Sequence, residues 1–300
     1  MTSAPPSPPV GRFAPSPTGP LHLGSLVAAL GSWLFARSKG GRWLVRMEDL
    51  DTPRVVPGAA DDILRTLERF GLTWDGAVVF QSRRLALYDS AFEDLLRRQE
   101  VYACACSRAD LARAASAPSR GEEGGAIYPG TCRPGLPPGK TARAFRFRVP
   151  PDLFTFKDLL FGPISENLQS SVGDFVIKRA DGPYAYQLAV VVDDAAQGVT
   201  EVVRGADLLD STARQIALQR ALSLPTPAYA HLPLVVGPDG KKLGKRDGAL
   251  ALDTLDDARV RAALGFALNA LGQEPAESPR EAALRFDPSR IPREPRPAPG

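Results

Sequence analysis

The sequence predicts an α/β fold built on a parallel sheet, on three observations. A short apolar strand, a Pro/Gly turn and an apolar-faced helix follow one another and return to a second strand. A crossover of that length implies a parallel pair. Strand and helix signals alternate again in the second half, from Val199 to Val236. The 300 residues are 44% hydrophobic and 24% charged, ordinary for a globular chain long enough for one large or two ordinary domains.

In order along the chain, residues 1–10 are Pro/Ser-rich and are expected as a disordered leader. Val10–Ala14 reads as the first strand, broken by Pro15-Ser-Pro-Thr-Gly19. From about His22 to Ser38, Leu23, Leu26, Val27, Leu30, Leu34 and Phe35 recur at three and four residues, giving a helix one apolar face. Lys39-Gly40-Gly41 stops it, and Trp43–Met47 is the returning strand of a nucleotide-binding type of sheet. Helices are expected over Ala59–Phe70, closed by Gly71, and over Leu85–Gln99. Cys, Gly and Pro dominate from Val101 to Pro138, the texture of an insertion. Arg143–Val149 alternates basic and apolar residues as a half-exposed strand. Asp174–Arg179 and Tyr184–Val192 flank Asp181-Gly182, a hairpin signal. Val199–Val203 is a strand, Leu208–Leu222 a helix ended before Pro225, and Leu232–Val236 a strand leading through Gly237-Pro-Asp-Gly240 into Lys241-Lys-Leu-Gly-Lys-Arg246. From Pro288 onward the Pro/Arg-rich composition predicts a loose tail.

Lys plus Arg is 37 against 34 for Asp plus Glu, so the net charge of +3 does not single out a nucleic-acid binder. Three cysteines exclude a disulfide framework, and the odd count fits a reducing compartment. Met1–Val10 has neither a basic start nor an apolar stretch, and no window approaches the ~20 apolar residues of a membrane span. A cytoplasmic protein is expected.

Three constellations carry chemistry. Gly11-Arg-Phe-Ala-Pro-Ser-Pro-Thr-Gly-Pro-Leu-His-Leu-Gly24 delivers the chain to a helix N-terminus with His22 and Gly24 in its first turn. Free N–H groups and the helix dipole suit phosphates there, and Gly24 lets a base or ribose lie against the backbone. By spacing alone, a Pro-rich turn capping a core helix accounts for it equally well. Lys241-Lys-Leu-Gly-Lys-Arg246 can clamp a polyphosphate, although such a run alone is more often a solvated loop. Cys104-Ala-Cys106 with Tyr128-Pro-Gly-Thr-Cys132 has the compactness of a structural zinc site, with Tyr128 the nearest candidate for a fourth ligand. Buried free cysteines explain the same spacing as readily.

Taken together, these motifs resemble class I aminoacyl-tRNA synthetases, with His22-Leu-Gly24 and Lys-Leu-Gly-Lys-Arg as the two ATP signatures. Arg12-Phe-Ala-Pro-Ser16, Arg46-Met-Glu-Asp49, Val191-Val-Asp-Asp194, Val203-Arg-Gly-Ala206 and the Cys-x-Cys…Tyr-x-x-x-Cys insertion resemble the glutamyl branch. The resemblance covers about Gly11 to Gly248. Two departures stand in the second signature, where Gly244 replaces a Ser and Arg246 the final Ser; in the first, Ser25 replaces a second His. Losing one hydroxyl removes one phosphate hydrogen bond, about 1 kcal/mol.

The resemblance implies a Rossmann-type class I synthetase core: 11–100 as its first half, 101–190 as an inserted zinc-binding and connective subdomain, 191–250 as its second half with the signature loop, and 251–287 as a short helical segment. The leader and the 288–300 tail flank these. Full glutamyl-tRNA synthetases continue into helical anticodon-binding domains, and little chain follows Arg246 here. That combination resembles the glutamyl-Q tRNA(Asp) synthetase family, which activates glutamate with ATP without tRNA and attaches it to the queuosine base in the anticodon of tRNA(Asp). The family pattern places glutamate against Arg12, Phe13, Ala14, Pro15, Ser16, Glu48, Tyr186 and Arg204. It places ATP with Mg²⁺ against His22, Gly24, Lys242 and Lys245, with His22 and Lys245 catalytic, and one structural Zn²⁺ on Cys104, Cys106, Tyr128 and Cys132. Two arginines and one acid suit a substrate with two carboxylates and an ammonium. Taken alone, Glu48 pairs as readily with Arg46 or Arg54 on the surface. Arg143, Arg146, Arg148 and Lys178 are expected to meet RNA phosphates, and a monomer is expected. The alternatives are a truncated glutamyl-tRNA synthetase charging 3′ ends and a non-catalytic paralogue.

Overall fold

The computed structural model describes residues 7–107, 109–111, 127–180, 182, 184–243 and 251–299. The first half contains β1 (Val10–Phe13), α1 (Leu23–Arg37), β2 (Arg42–Met47), α2 (Ala59–Arg69), β3 (Val79–Phe80), α3 (Leu85–Arg97) and β4 (Val101–Cys104). There follow β5 (Ala144–Phe147), β6 (Leu153–Asp158), β7 (Gly162–Asn167), α4 (Leu168–Ser171), β8 (Val176–Arg179) and α5 (Tyr186–Ala196). The chain closes with β9 (Glu201–Gly205), α6 (Thr212–Ala221), β10 (Ala228–Leu232), β11 (Val235–Val236), α7 (Asp257–Ala270), α8 (Pro279–Leu284) and β12 (Arg296–Pro297).

The expected crossover forms: β1 and β2 pair in parallel, Val10 opposite Arg42 through Phe13 opposite Val45, with α1 between them in sequence. β3 extends this sheet in parallel beyond β2. A second sheet runs β7-β6-β10-β9, in which β9 and β6 are parallel to β10 and β7 is antiparallel to β6. The two sheets meet at β1 and β9, where Thr200 N donates to the Val10 carbonyl at 2.9 Å and Val10 N to Thr200 Oγ1 at 2.8 Å.

Strand side chains alternate between two cores, as the pleat requires. Trp43, Val45, Met47, Val203, Ala230 and Leu232 join a cluster with α1, α2, α7 and α8. Leu44, Val202 and Tyr229 join the opposite one with α3, α5 and α6. The sheet is therefore covered on both faces. Helix α1 is buried more widely than its one apolar face predicts, because α7 and α8 pack over its far side. Gly31 permits its approach to the sheet: a Cβ there would stand 2.4 Å from Leu232 Cδ1.

β4, β5 and β8 form a separate antiparallel sheet, with Tyr102, Cys104, Tyr128 and Cys132 clustered at it. The expected 101–190 insertion is not one unit, since β6 and β7 return to the main sheet between β5 and β8.

Five further expectations are corrected. The hairpin across Asp181-Gly182 stops at one bridge, Lys178 to Tyr184, and the Tyr184–Val192 arm becomes α5. Its Val190-Val-Val192 run is buried and the following Asp193 and Asp194 find buried partners, so tertiary packing overrides β-propensity. The Leu208–Leu222 helix begins as a 3₁₀ turn over Ala206–Ser211. The Leu232–Val236 strand is split, as Pro233, which has no N–H to donate, falls between β10 and β11. The tail is not loose: β12 pairs with β11 in parallel, Arg296 N donates to the Leu234 carbonyl at 2.7 Å, and Ile291 is buried. At the other end, Pro9 and Val10 belong to the sheet, the Pro9 carbonyl accepting from Arg42 N; residues 1–6 of the leader lie outside the described residues.

Candidate active site

The residues singled out for substrate arrive at the carboxyl ends of strands: Arg12 and Phe13 on β1, Glu48 directly after β2, and Arg204 on β9. Open parallel sheets place ligands at such ends, where neighbouring strands continue in opposite directions through the fold. The Pro15 carbonyl accepts from Glu48 N at 3.0 Å, tying the Phe13-Ala14-Pro15-Ser16 turn to the end of β2. Ser16 itself is exposed.

Around Arg12 the charges form a buried network. Arg12 Nε donates to both Asp194 oxygens, at 3.2 and 3.4 Å, while its two terminal nitrogens make no hydrogen bond among the described residues. Arg46 is wholly buried and reaches Asp194 at 2.8 Å, Gln197 at 2.7 Å, Glu48 at 3.4 Å and Asp193 at 3.7 Å. Burial alone would raise the Asp194 pKa, but the adjacent Arg12 and Arg46 outweigh it and hold the carboxyl below its ordinary value. For Glu48 the balance is reversed: burial raises its pKa, and Arg46 and Arg12 only partly oppose it. Glu48 thus pairs with Arg46 inside the protein and not with Arg54, which pairs with Asp51.

Arg204 differs from both other arginines. It is buried, and its guanidinium donates to five neutral acceptors: His231 Nε2 at 3.1 Å, Tyr186 Oη at 3.4 Å, Gln215 Oε1 at 2.7 Å, the Leu208 carbonyl at 3.2 Å and Thr212 Oγ1 at 2.9 Å. No carboxylate pairs with it among the described residues. Burial and the Glu48 carboxylate raise the Tyr186 pKa, and the Arg204 and Arg12 cations oppose the rise without cancelling it. A buried cation without a counter-ion favours an anionic ligand.

A cavity of about 290 Å³ is lined by Phe13, His22, Gly24, Gly205, Asp207 and Lys242, among others, so it opens next to Arg204 in sequence. His22 is the N-cap of α1, and its Nδ1 accepts from Ser25 N at 3.3 Å, so a neutral imidazole carries its proton on Nε2. A Cβ at Gly24 would stand 3.1 Å from His22 Cε1, and the glycine leaves that ring its place. Lys242 pairs with the Asp207 carboxylate at the cavity edge. Lys245, Gly244 and Arg246 lie outside the described residues.

The cysteine cluster is a separate centre. Cys104, Cys106 and Cys132 Sγ atoms lie within 4.8 Å of one another, with Cys106 to Cys132 at 3.7 Å. Tyr128 Oη is 3.5 Å from Cys104 Sγ and 3.9 Å from Cys106 Sγ. Tetrahedral bonds of about 2.3 Å to sulfur and 2.0 Å to oxygen separate ligands by roughly 3.8 Å and 3.5 Å, so the four residues fit one zinc ion. Burial opposes the Cys104 thiolate, but hydrogen bonds with Tyr128 and Arg146 outweigh it and lower the pKa; burial pushes Cys106 up to about 11.

Residues 10–278 match the family described as tRNA synthetases class I (E and Q), catalytic domain. A glutamyl-Q tRNA(Asp) synthetase of Geobacter sulfurreducens is 58% identical over 303 residues, covering 97% of this chain and 96% of that protein. The chain belongs to the glutamyl-Q family of class I synthetases. A relative of the same description from Aromatoleum aromaticum is 56% identical, covering 92% of this synthetase and 85% of that protein. The crystal structure of a glutamate tRNA ligase from Elizabethkingia meningosepticum, in complex with its amino acid, shares the fold at a TM-score of 0.79 and 29% identity. It aligns with 97% of this synthetase, which spans 67% of the ligase chain. The synthetase is thus a ligase with the class I fold. Among its described residues, no helix is long and apolar enough to cross a membrane.

Of the residues expected to hold glutamate, Tyr186 meets Arg204, and Arg12 shares a buried network with Glu48 through Asp194 and Arg46, two residues for which the sequence indicated no role. An arginine within an otherwise apolar strand and an acidic pair after Val190-Val-Val192 were the available signals. Asp158, His231 and Gln215 carried none, since only the fold sets them beside Arg204. Three of the cations expected to meet RNA are engaged within the protein. Arg146 is buried against Cys104 and over the Tyr128 ring, Arg148 lies over Tyr102 and donates to the Arg133 carbonyl, and Lys178 donates to Tyr184. Arg143 alone of the four is exposed.

Proposed function

We propose that the chain activates L-glutamate with ATP in the absence of tRNA and transfers it to the queuosine base in the anticodon of tRNA(Asp). The observation that carries the amino-acid half is Arg204, a buried guanidinium satisfied only by neutral acceptors, one of them Tyr186. Arg12 and Arg204 take the two carboxylates, Glu48 takes the α-ammonium, and Tyr186 donates a neutral hydrogen bond. The α-carboxylate attacks the α-phosphorus of ATP, the bond to the bridging oxygen breaks, and pyrophosphate leaves. His22 Nε2–H stabilises charge on the phosphoryl oxygens, and Gly24 leaves the nucleotide room against the backbone. Lys242 and Lys245 neutralise the departing pyrophosphate, and Mg²⁺ carried by ATP supplies further positive charge. A queuosine hydroxyl then attacks the carbonyl of the mixed anhydride and AMP leaves. The acceptor rests on the description of the relatives, and an unpaired anticodon loop can present a splayed base to a pocket. The proposal includes a cytoplasmic monomer, in keeping with three unpaired cysteines.

Pyrophosphate exchange into ATP with glutamate and no tRNA tests the first half. Glutamine should support it roughly 10- to 100-fold less well, the effect of losing one charge-assisted pair of about 1.5–3 kcal/mol. Equal rates would overturn the assignment of Arg12 and Arg204. Labelled glutamate offered to queuosine-containing, unmodified and 3′-trimmed tRNA(Asp) tests the second half. Label that survives trimming and needs queuosine supports it; label lost on trimming points to 3′ charging, and no exchange at all to a non-catalytic paralogue.

Glu48 should impose a pH dependence. Its raised pKa means that the carboxylate is protonated at higher pH than an ordinary Glu of about 4.3. The KM for glutamate should therefore rise as pH falls from 7 toward that value, and the slope should vanish in Glu48→Gln. An identical profile in wild type and variant rejects the role.

One zinc on Cys104, Cys106, Tyr128 and Cys132 is proposed as structural. With four protein ligands, such an ion cross-links β4 to the Tyr128–Cys132 turn and offers no open position for water. Chelation should lower stability by about 2.7 kcal/mol if zinc had been present at 100 times its dissociation constant. Metal content and thermal unfolding with and without chelator measure this; near-zero metal and an unmoved midpoint reject the site.

A further inference from the structure

We propose that Asp158 and His231 form a buried relay that fixes the hydrogen-bonding state of Arg204, and through it the affinity for the substrate carboxylate. The inference rests on the glutamate assignment above. Both residues are wholly buried, on neighbouring parallel strands β6 and β10. Asp158 Oδ1 accepts from the backbone N–H groups of Leu160 and Phe161, each at 2.9 Å. Asp158 Oδ2 faces His231 Nδ1 at 2.6 Å. His231 Nε2 faces Arg204 Nε at 3.1 Å, with Thr212 Oγ1 also at 3.3 Å.

The dependence runs in one direction. Two backbone donors fix Oδ1 as an acceptor, and a carboxylate Oδ2 can only accept, so Nδ1 must carry the imidazole proton. Nε2 is then the lone-pair side, the one partner that Arg204 Nε–H can use, because a guanidinium has no acceptor. The opposite tautomer, or an imidazolium, would set N–H against N–H. Burial lowers the His231 pKa, with Asp158 only partly opposing it, and burial of Asp158 is outweighed by the hydrogen bonds from His231 and the backbone. Both groups therefore hold the protonation states that the geometry requires. Neither touches the substrate space; they are positioning residues for Arg204.

Asp158→Asn tests the relay with almost no change of shape. Oδ1 stays with the two backbone donors, so the amide nitrogen takes the place of Oδ2 and donates to Nδ1. His231 is then driven to the Nε2–H tautomer, opposite the Arg204 donor. The KM for glutamate should rise roughly 10- to 100-fold, while the KM for ATP stays within about twofold. His231→Leu should raise the glutamate KM as well, and the double variant should be no worse than Asp158→Asn, a non-additivity that independent structural damage would not produce. His231→Gln, which can restore an acceptor, should recover most of the affinity.

The chain has only two histidines, so nitrogen NMR of labelled imidazoles, with His22→Asn for assignment, reads the tautomer directly. Nδ1–H on His231 in the wild type is expected. Nε2–H there overturns the relay whether or not any variant folds. A folded Asp158→Asn with an unchanged glutamate KM overturns it also. Absence of glutamate exchange in the wild type would instead overturn the substrate assignment, and the tautomer measurement stands apart from that result.

Discussion

Arg204→Ala is expected to lower kcat/KM for glutamate in pyrophosphate exchange by about 10- to 100-fold. Arg204 is proposed to meet a substrate carboxylate by exchanging its longest contact, Nη1 to Tyr186 Oη at 3.4 Å, for a charge-assisted hydrogen bond of about 1.5–3 kcal/mol. The buried surroundings exclude water that could stand in for the lost donors. Removal of Arg204 strands no partner carboxylate, but it leaves the buried acceptors His231 Nε2, Gln215 Oε1 and Thr212 Oγ1 without their donor, so stability should fall as well. The kinetic comparison is therefore made at a temperature where unfolding measurements show the variant to be folded. Arg204→Lys should recover little, because one ammonium cannot reproduce a planar fork. A loss below about fivefold in the folded alanine variant would remove Arg204 from the binding site.

Asp194→Ala should act chiefly through the fold. Asp194 is the shared partner of Arg12 and Arg46, at 3.2 and 2.8 Å, and all three are buried. Removing one partner of a buried pair costs about 3–5 kcal/mol, because the remaining charge is left uncompensated. Arg46 keeps Glu48, Asp193 and Gln197, whereas Arg12 keeps no hydrogen bond among the described residues. The cost should thus fall on Arg12 and on glutamate affinity together. The pH dependence has a definite sign. The folded pKa of Asp194 lies below its ordinary value, so its contribution is complete above about pH 4 and disappears as pH falls through the folded value. Urea unfolding at neutral pH measures the effect. A difference under about 1 kcal/mol would show that Arg12 and Arg46 find other compensation.

The N-terminal half was legible because its signals are local. The 3- and 4-residue recurrence from Leu23 to Phe35, the stop at Lys39-Gly40-Gly41 and the returning strand each lie within one element, and the structure places all three within one or two residues. The Cys-x-Cys and Tyr-x-x-x-Cys spacings set two ligand-type side chains close together within each segment, and the fold brings the two segments into contact. Where long-range contact decides, local pattern failed. Tyr184–Val192 has the composition of a strand and folds as a helix, because that places Asp193 against Gln81, Arg84 and Tyr88, and Asp194 against Arg12 and Arg46. The Pro/Arg-rich end resembles a tail until β11 offers it a free strand edge.

For the site, the sequence by itself determined which residue types are present and near which turns: Arg12 and Ser16 before α1, Glu48 after β2, Arg204 on β9. Tertiary structure alone decided their electrical state. Arg12 and Arg204 are both arginines at the ends of strands, yet one is neutralised by Asp194 and the other is held only by neutral acceptors. Nothing within a few residues of either distinguishes them. The difference comes from α5 delivering a carboxylate to the first and from β10 delivering an uncharged imidazole to the second, across 182 and 27 residues of sequence. In a buried site the free energy of a charge depends on which groups have replaced water around it, and folding alone chooses those groups.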